Sequence, residues 1–356
     1  MEMKVHPRDE MTPWERKKAA EEGREIDRVA CVPFMGEFKC RLTGISIWEF
    51  WHDAGKMAEA EILTFNRYGH DRLTIGPNSR GITEALGGES VYLDHTLPYM
   101  DSVFLKDYNQ MNAMEPVRAG EHPRIKVFFQ AAEILADAAG KIVPVEASIG
   151  GPFTIASNLR GVETLLRDCR KHPEEVRRLM VLITESQKSC IDEAAIFGLG
   201  IAMADPVANP ALIGPKMYER FVYPFTKELT DYAYEKTGQK VSLHMCGKTY
   251  SIWKYLSDYK LNELSVDNII DLERAVNELG EFIPIAGNVD PVEVILNGGK
   301  EEITEAVTNC IHVGVKASKG YTLATGCDIP YTTQFEKIDW FMEAARQFGQ
   351  AVHSAG

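Results

Sequence analysis

Val241-Ser242-Leu243-His244-Met245-Cys246-Gly247-Lys248 is the stretch from which the fold can be read. It follows a turn-like Thr237-Gly238-Gln239, so residues 241–243 are expected to form a strand that ends in a loop. Along an extended chain, residues two apart point to the same side. His244 and Cys246 would then present an imidazole and a thiol toward one point. A third group of this kind is Cys327, which follows a second apolar run at 321–325 and also stands at a strand end. Two thiolates and one imidazole suit a catalytic zinc, which keeps three protein ligands and one open position. The alternative is a buried histidine beside two inert core cysteines. The ligand reading is favoured because all three groups fall at strand ends of a repeating α/β pattern, where chemistry collects.

That pattern extends through the chain. Strands are expected at 29–35, 72–75, 142–148, 200–204, 241–243, 263–266, 282–286 and 321–325, with helices between them. Eight short apolar strands interleaved with helices predict an α/β protein, a (β/α)8 TIM barrel. Thr12-Pro13 opens a short helix, with Thr12 as N-cap and Pro13 at its first position. Residues 1–28 form a helical extension at the N-terminus. Longer helices are expected at 173–196 and 215–234, the second kinked at Pro224. Residues 84–130 fit no strand–helix unit and read as an insertion after the second strand, with a hairpin pairing 90–93 and 102–105. No repeat or flexible linker divides the sequence, so residues 1–356 are expected to form one barrel domain.

Composition narrows the partners. The 356 residues carry a formal net charge of −13, from 39 basic and 52 acidic side chains. Nucleic acid and anionic membranes are poor partners for such a chain, since phosphate binding draws on clustered lysine and arginine. No apolar run approaches the roughly 20 residues of a membrane span, and residues 1–28 hold no apolar signal core, so a cytoplasmic protein is expected. Seven scattered cysteines read as a thiol inventory and not as a disulfide framework.

In a TIM barrel the active site gathers at the carboxyl ends of the strands. Besides the three ligand candidates, those ends supply Glu37, Asn78, Glu146, Asp205, Asp267, Asn288 and Asp290. Asp267 is a candidate fourth ligand or an orienter of the metal site, and equally an N-cap. Glu146 could orient the site or accept a substrate hydroxyl, or face a helix. Asp205, before Pro206, is a catalytic candidate or a turn former. Asn288 and Asp290 could bind substrate, although Asn-x-Asp-Pro is also a turn and cap signal. Gly150-Gly151-Pro152 before a helix reads as a tight turn, with anion binding as the alternative. The other five cysteines read as small buried hydrophobes.

The phrases Asp205-Pro206-Val207-Ala208, His244-Met245-Cys246-Gly247-Lys248-Thr249, Leu264-Ser265-Val266-Asp267, Gly287-Asn288-Val289-Asp290-Pro291 and Gly326-Cys327-Asp328-Ile329-Pro330 resemble the uroporphyrinogen decarboxylase superfamily. They are most similar to its zinc-dependent corrinoid methyltransferases, a branch that includes methylcobalamin:coenzyme M methyltransferases and methoxyarene O-demethylases. The resemblance puts Zn2+ on His244, Cys246 and Cys327. It also implies a corrinoid (cobalamin) carried by a separate partner protein, because no corrinoid-binding domain is recognisable here. The remaining partner would be a small-molecule methyl donor or acceptor, and a homodimer is compatible with this reading. True decarboxylases carry an arginine-rich segment after the first strand, whereas this chain has Phe34-Met35-Gly36-Glu37-Phe38, with no arginine before Arg41.

That segment sets the substrate expectation. A pocket floored by Phe34, Met35 and Phe38, with Glu37 for a ring hydroxyl, suits an aromatic methyl ether. Lys39 and Arg41 are the only nearby cations for an anionic thiol such as coenzyme M. The expectation is therefore O-demethylation of a methoxylated aromatic. Methyl transfer from methylcobalamin to a thiol is the first alternative. Behind it stand uroporphyrinogen decarboxylation and a non-catalytic tetrapyrrole- or corrinoid-binding scaffold with a structural zinc.

Overall fold

The computed structural model describes residues 1–94 and 96–350. Its strands are β1 (Ala30–Val32), β2 (Leu73–Ile75), β3 (Ser90–Val91), β4 (Tyr99–Met100), β5 (Val145–Ser148), β6 (Gly200–Ala204), β7 (Val241–Met245), β8 (Leu261–Val266), β9 (Ile285–Val289) and β10 (Tyr321–Thr325). The chain divides into two compact units. One comprises Met1–Leu73, Ile134–Val145 and the chain from Glu263 onward; the other comprises Thr74–Glu133 and Glu146–Asn262. In the first, β1, β10, β9 and β8 lie side by side and parallel. In the second, β7, β6 and β5 do the same, with β2 next in order. Parallel strands joined through helices are the expected (β/α)8 class.

Each predicted strand is present, and the differences have local causes. Phe282 opens the predicted seventh strand but is 65% exposed, and the strand proper is Ile285–Val289. It runs through Gly287 and Asn288, two residue types that strands disfavour. The insertion hairpin pairs Ser90 with Met100 and Val91 with Tyr99, so its second strand lies earlier than expected. Leu105, read as strand, is instead fully buried, and its N–H donates to Leu159 O at 2.8 Å. The long helix expected at 215–234 is two helices, Pro215–Phe221 and Tyr223–Thr237. Pro224 falls in the first turn of the second helix, where a missing N–H costs nothing.

Strand alternation sorts the first unit into two faces. Cys31, Leu323 and Val289 join a core with Ile303, Val307, Ile311, Ile338 and Phe341, the covering layer of helices. On β10 the intervening Thr322 turns the other way and donates to Glu263 Oε2 at 3.0 Å, and Arg72 contacts Glu263 Oε1 at 2.6 Å. Helix ends follow their sequence signals. Thr12 and Glu15 form a reciprocal capping box at the start of Pro13–Glu21.

A buried ionic network ties the N-terminal extension to the first unit. Arg28 contacts Asp9 at 2.9 Å and Asp71 at 2.6 Å; Arg346 contacts Asp9 at 2.9 Å; Arg16 contacts Asp27 at 2.6 Å and also reaches Asp71. These six side chains are at most 5% exposed. Asp71 also accepts the Cys31 N–H at 2.6 Å, which attaches the network to β1. Burial alone would raise the Asp9 carboxyl, but the hydrogen bonds and charges of Arg28 and Arg346 prevail and hold it far below the usual carboxylate range. Asp27 is lowered against burial in the same way by Arg16.

Removing one partner of such a network leaves a buried charge uncompensated. Arg28→Met should therefore lower stability by about 3–5 kcal/mol, read from urea unfolding at neutral pH. Asp9 and Asp27 bind protons less readily folded than unfolded, where the pKa is about 3.9. Their contribution is complete above that value and is lost as pH falls below it. The urea midpoint should thus drop on acidification below about pH 4, and less steeply in Arg28→Met, where Asp9 has lost a guanidinium. An unchanged midpoint in the variant would show that the network does not stabilise the fold.

Candidate metal centre

In the second unit β7 reaches Met245, so His244 is the penultimate strand residue and not the first loop residue. Met245 is buried on the opposite face. His244 and Cys246, both half-buried, point the other way, with Nε2 and Sγ 3.2 Å apart. Two ligands of a tetrahedral zinc, at about 2.0 and 2.3 Å from the ion, stand roughly 3.5 Å from each other. The pair fits that donor geometry after a slight opening. Directly after Cys246 the chain turns through Gly247, whose φ is +79°.

The neighbouring strand end holds Asp205, whose N–H donates to His244 O at 3.3 Å. Its carboxylate is buried and accepts from Thr154 N at 2.8 Å, Thr154 Oγ1 at 2.6 Å and Phe153 N at 3.3 Å. It thereby occupies the N-terminus of helix Pro152–Arg160. A side chain at Gly151 would stand 2.1 Å from Asp205 Cβ, so this glycine admits the chain's own carboxylate. The anion at Gly150-Gly151-Pro152 is intramolecular. Burial pushes the Asp205 carboxyl up to about 6, against the hydrogen bonds that lower it.

Glu146 is the second residue of β5, two residues short of the strand end, and accepts from Ser242 Oγ at 2.9 Å. Ser242 in turn lies two residues before His244 on β7. Asn78 takes a φ of +46°, and its Oδ1 accepts the Arg80 N–H at 2.7 Å, shaping the turn after β2.

In the first unit Cys327, half-buried, follows β10 through Gly326. A Cβ at Gly326 would stand 2.3 Å from Asn268 N, so this loop is pressed against the one that follows β8. Asp267 Oδ1 accepts the Ile269 N–H at 3.0 Å; the N-cap of the next helix, Leu272–Leu279, is Asp271. Asn288 donates to Asp267 O at 2.9 Å and Ile270 O at 2.8 Å, so its amide holds the loop in place. Asp290 caps Pro291–Leu296 through Val292 N and Glu293 N, both at 2.8 Å, and accepts from Asn268 Nδ2 at 2.7 Å.

In the segment 34–38, Met35, Glu37 and Phe38 are buried. Met35 and Phe38 are 2% and 0% exposed and belong to the hydrophobic core, Phe38 edge-on to Phe335 with ring centroids at 5.6 Å. Phe34 is half-buried, and its backbone bonds to Thr325 Oγ1 and Ile329 N. Glu37 is 7% exposed. The two nearby cations are engaged: Lys39 with Glu61 at 2.6 Å, Arg41 with the carbonyls of Tyr331 and Thr333. Thr154, Asn209 and Asn268 are not singled out by the sequence. Asn209-Pro210 carries an N-cap signal, but nothing marks Thr154 or Asn268.

The uroporphyrinogen decarboxylase (URO-D) family profile matches residues 12–348. The chain belongs to that family. Among relatives of this URO-D family chain, a "Methylcobamide:CoM methyltransferase MtbA" of Methanosarcina acetivorans is 27% identical, over 95% of this chain and 99% of its own. A "Methylated-thiol--coenzyme M methyltransferase" of Methanosarcina mazei is 24% identical, over 95% and 90%. A rice chloroplastic uroporphyrinogen decarboxylase is 24% identical over 61% of this chain and 56% of its own. A solved methyltransferase structure from Methanosarcina mazei has a TM-score of 0.84 and 22% identity, covering 95% of this chain and 99% of its own, which shows the shared fold. Among the described residues, no helix is long and apolar enough to cross a membrane.

Asp205→Ala should destabilise the protein by about 1–3 kcal/mol, because buried donors of Thr154 and Phe153 lose their acceptor. Asp205→Asn, which keeps an acceptor, should cost less. Thermal unfolding of the two metal-free variants checks the order; equal melting temperatures would mean that the carboxylate does not hold the helix.

Proposed function

We propose that this chain is a corrinoid-dependent methyltransferase that moves a methyl group between the cobalt of a partner corrinoid protein and a small thiol. The reading treats residues 1–356 as one catalytic domain with zinc held by His244, Cys246 and Cys327. The observation that carries it is the 3.2 Å separation of His244 Nε2 and Cys246 Sγ at the end of β7, with Cys327 past the end of β10 as the third ligand of the reading. Two sulfurs and one imidazole nitrogen are a donor set for zinc, with a fourth position left for substrate.

Bound there, zinc would keep a substrate thiol as thiolate near neutral pH, which a free thiol of pKa about 8.5 is not. That sulfur would be the nucleophile toward a methyl group carried by the partner's corrinoid, and the electron pair of the broken cobalt–carbon bond would stay with the corrinoid. His244 and Cys246 supply donors from a strand end, a rigid position. Asp205 acts behind them, fixing the His244 carbonyl and the neighbouring helix. Glu146 would act indirectly through Ser242 and β7.

The acceptor differs from the sequence expectation. O-demethylation rested on an apolar floor of Phe34, Met35 and Phe38, of which Met35 and Phe38 are core residues. The relatives matched over 90% or more of their own length carry thiol or coenzyme M transfer in their names. Both observations favour the thiol alternative over a methoxylated aromatic. The shorter match to decarboxylases gives decarboxylation less support.

The purified protein should contain about one zinc per chain, and Cys246→Ala and Cys327→Ala should lose it while staying folded. Full zinc in both variants would sink the ligand assignment. The wild type should consume methylcobalamin with 2-mercaptoethanesulfonate, followed by the change in cobalt absorbance. A methoxyphenol accepted in its place, with no thiol methylated, would restore the demethylase reading.

A further inference from the structure

Gly247 and Asn209 meet where the chain leaves the ligand-bearing strand. Asn209 half-buries its side chain as N-cap of helix Pro210–Ile213, its Oδ1 accepting the Ala211 N–H at 2.9 Å. That bond orients the amide and turns Nδ2 away from the helix. A methyl group placed on Gly247 would stand 1.7 Å from Asn209 Nδ2 and 2.4 Å from its Cγ. Nδ2 of the amide therefore occupies the space where a side chain at residue 247 would begin. Gly247 also holds a φ of +79°, which other residues adopt only with strain. Two independent constraints, one conformational and one steric, thus act on the residue directly after Cys246.

We propose that Asn209 is a positioning residue for the metal centre, clamping the Cys246-Gly247 turn so that the thiol stays directed toward the His244 imidazole. This rests on the zinc reading given above. Without the clamp the turn loses the packing that bars Gly247 from other conformations. Cys246, the first residue past the strand, would then sample orientations that a tetrahedral ion cannot use. Residues that orient ligands in this way are worth about 10- to 100-fold in metal affinity. Asn209 touches neither substrate nor metal in this scheme. Its effect passes through the backbone.

Asn209→Ser separates the clamp from the cap, because serine is as good an N-cap as asparagine but is too short to cover Gly247. Zinc affinity, measured by chelator competition, should fall about 10- to 100-fold in Asn209→Ser, and at least as far in Gly247→Ala. In the double variant the collision is lifted, so it should bind zinc more tightly than Gly247→Ala alone. In metal-free protein, hydrogen exchange of the peptide covering residues 246–250 should be faster in Asn209→Ser than in the wild type. Wild-type affinity together with wild-type exchange in Asn209→Ser, or strictly additive losses in the double variant, would overturn the clamp. If the wild type takes up no zinc while exchange still quickens, the metal reading falls and the clamp stands.

Discussion

Three guanidinium groups and three carboxylates are shut away from water at the start of β1, and that burial places a demand on the rest of the first unit. Arg16, Arg28 and Arg346 come from an N-terminal helix, the segment before β1 and the last helix; Asp9, Asp27 and Asp71 come from three further points in the sequence. Ions out of water are tolerated only when each finds several partners in good geometry. The network therefore specifies one arrangement more than it adds bulk stability, because any other would strand a charge. Asp71 passes that specificity to the sheet through the Cys31 N–H. The parallel ladder from β1 to β10 and β9 then sets where the loop carrying Cys327 begins.

The loops at the strand ends are held by a second kind of economy, close approach through glycine and capture by side-chain amides and carboxylates. Gly326 lets the loop after β10 lie on Asn268, and Asn288 anchors the loop after β8 by two of its carbonyls. In the second unit, Gly76 and Gly150 let the turns after β2 and β5 interlock. Several polar residues that resemble substrate ligands in the sequence are thus engaged in holding backbone.

Much of this is legible in the amino-acid sequence. The strands at 200–204 and 321–325 fall where the sequence places them because short apolar runs stand between clear turn signals. The His-x-Cys pair is legible because strand alternation alone brings residues two apart to one side. The sequence misleads where two states demand the same residue types. Met35 and Phe38 are as apolar as a pocket floor would be, and nothing local distinguishes a pocket wall from a core layer. Asn288 and Asp290 are polar because loops need caps as much as substrates need ligands. Asn209 is invisible as a clamp because its partner, Gly247, is distant in sequence and has no side chain to announce the contact.

Asp205 changes how mutagenesis of this site must be interpreted. The residue grips twice, with its backbone on the His244 carbonyl and its carboxylate on helix Pro152–Arg160. An alanine there removes only the second grip directly, yet Asp205 joins the helix to the strand that carries His244. Loss of turnover in such a variant would be indistinguishable, on rate alone, from loss of a proton-transferring acid. A buried aspartate beside a candidate metal ligand invites the catalytic interpretation, and this one is also a joint of the scaffold.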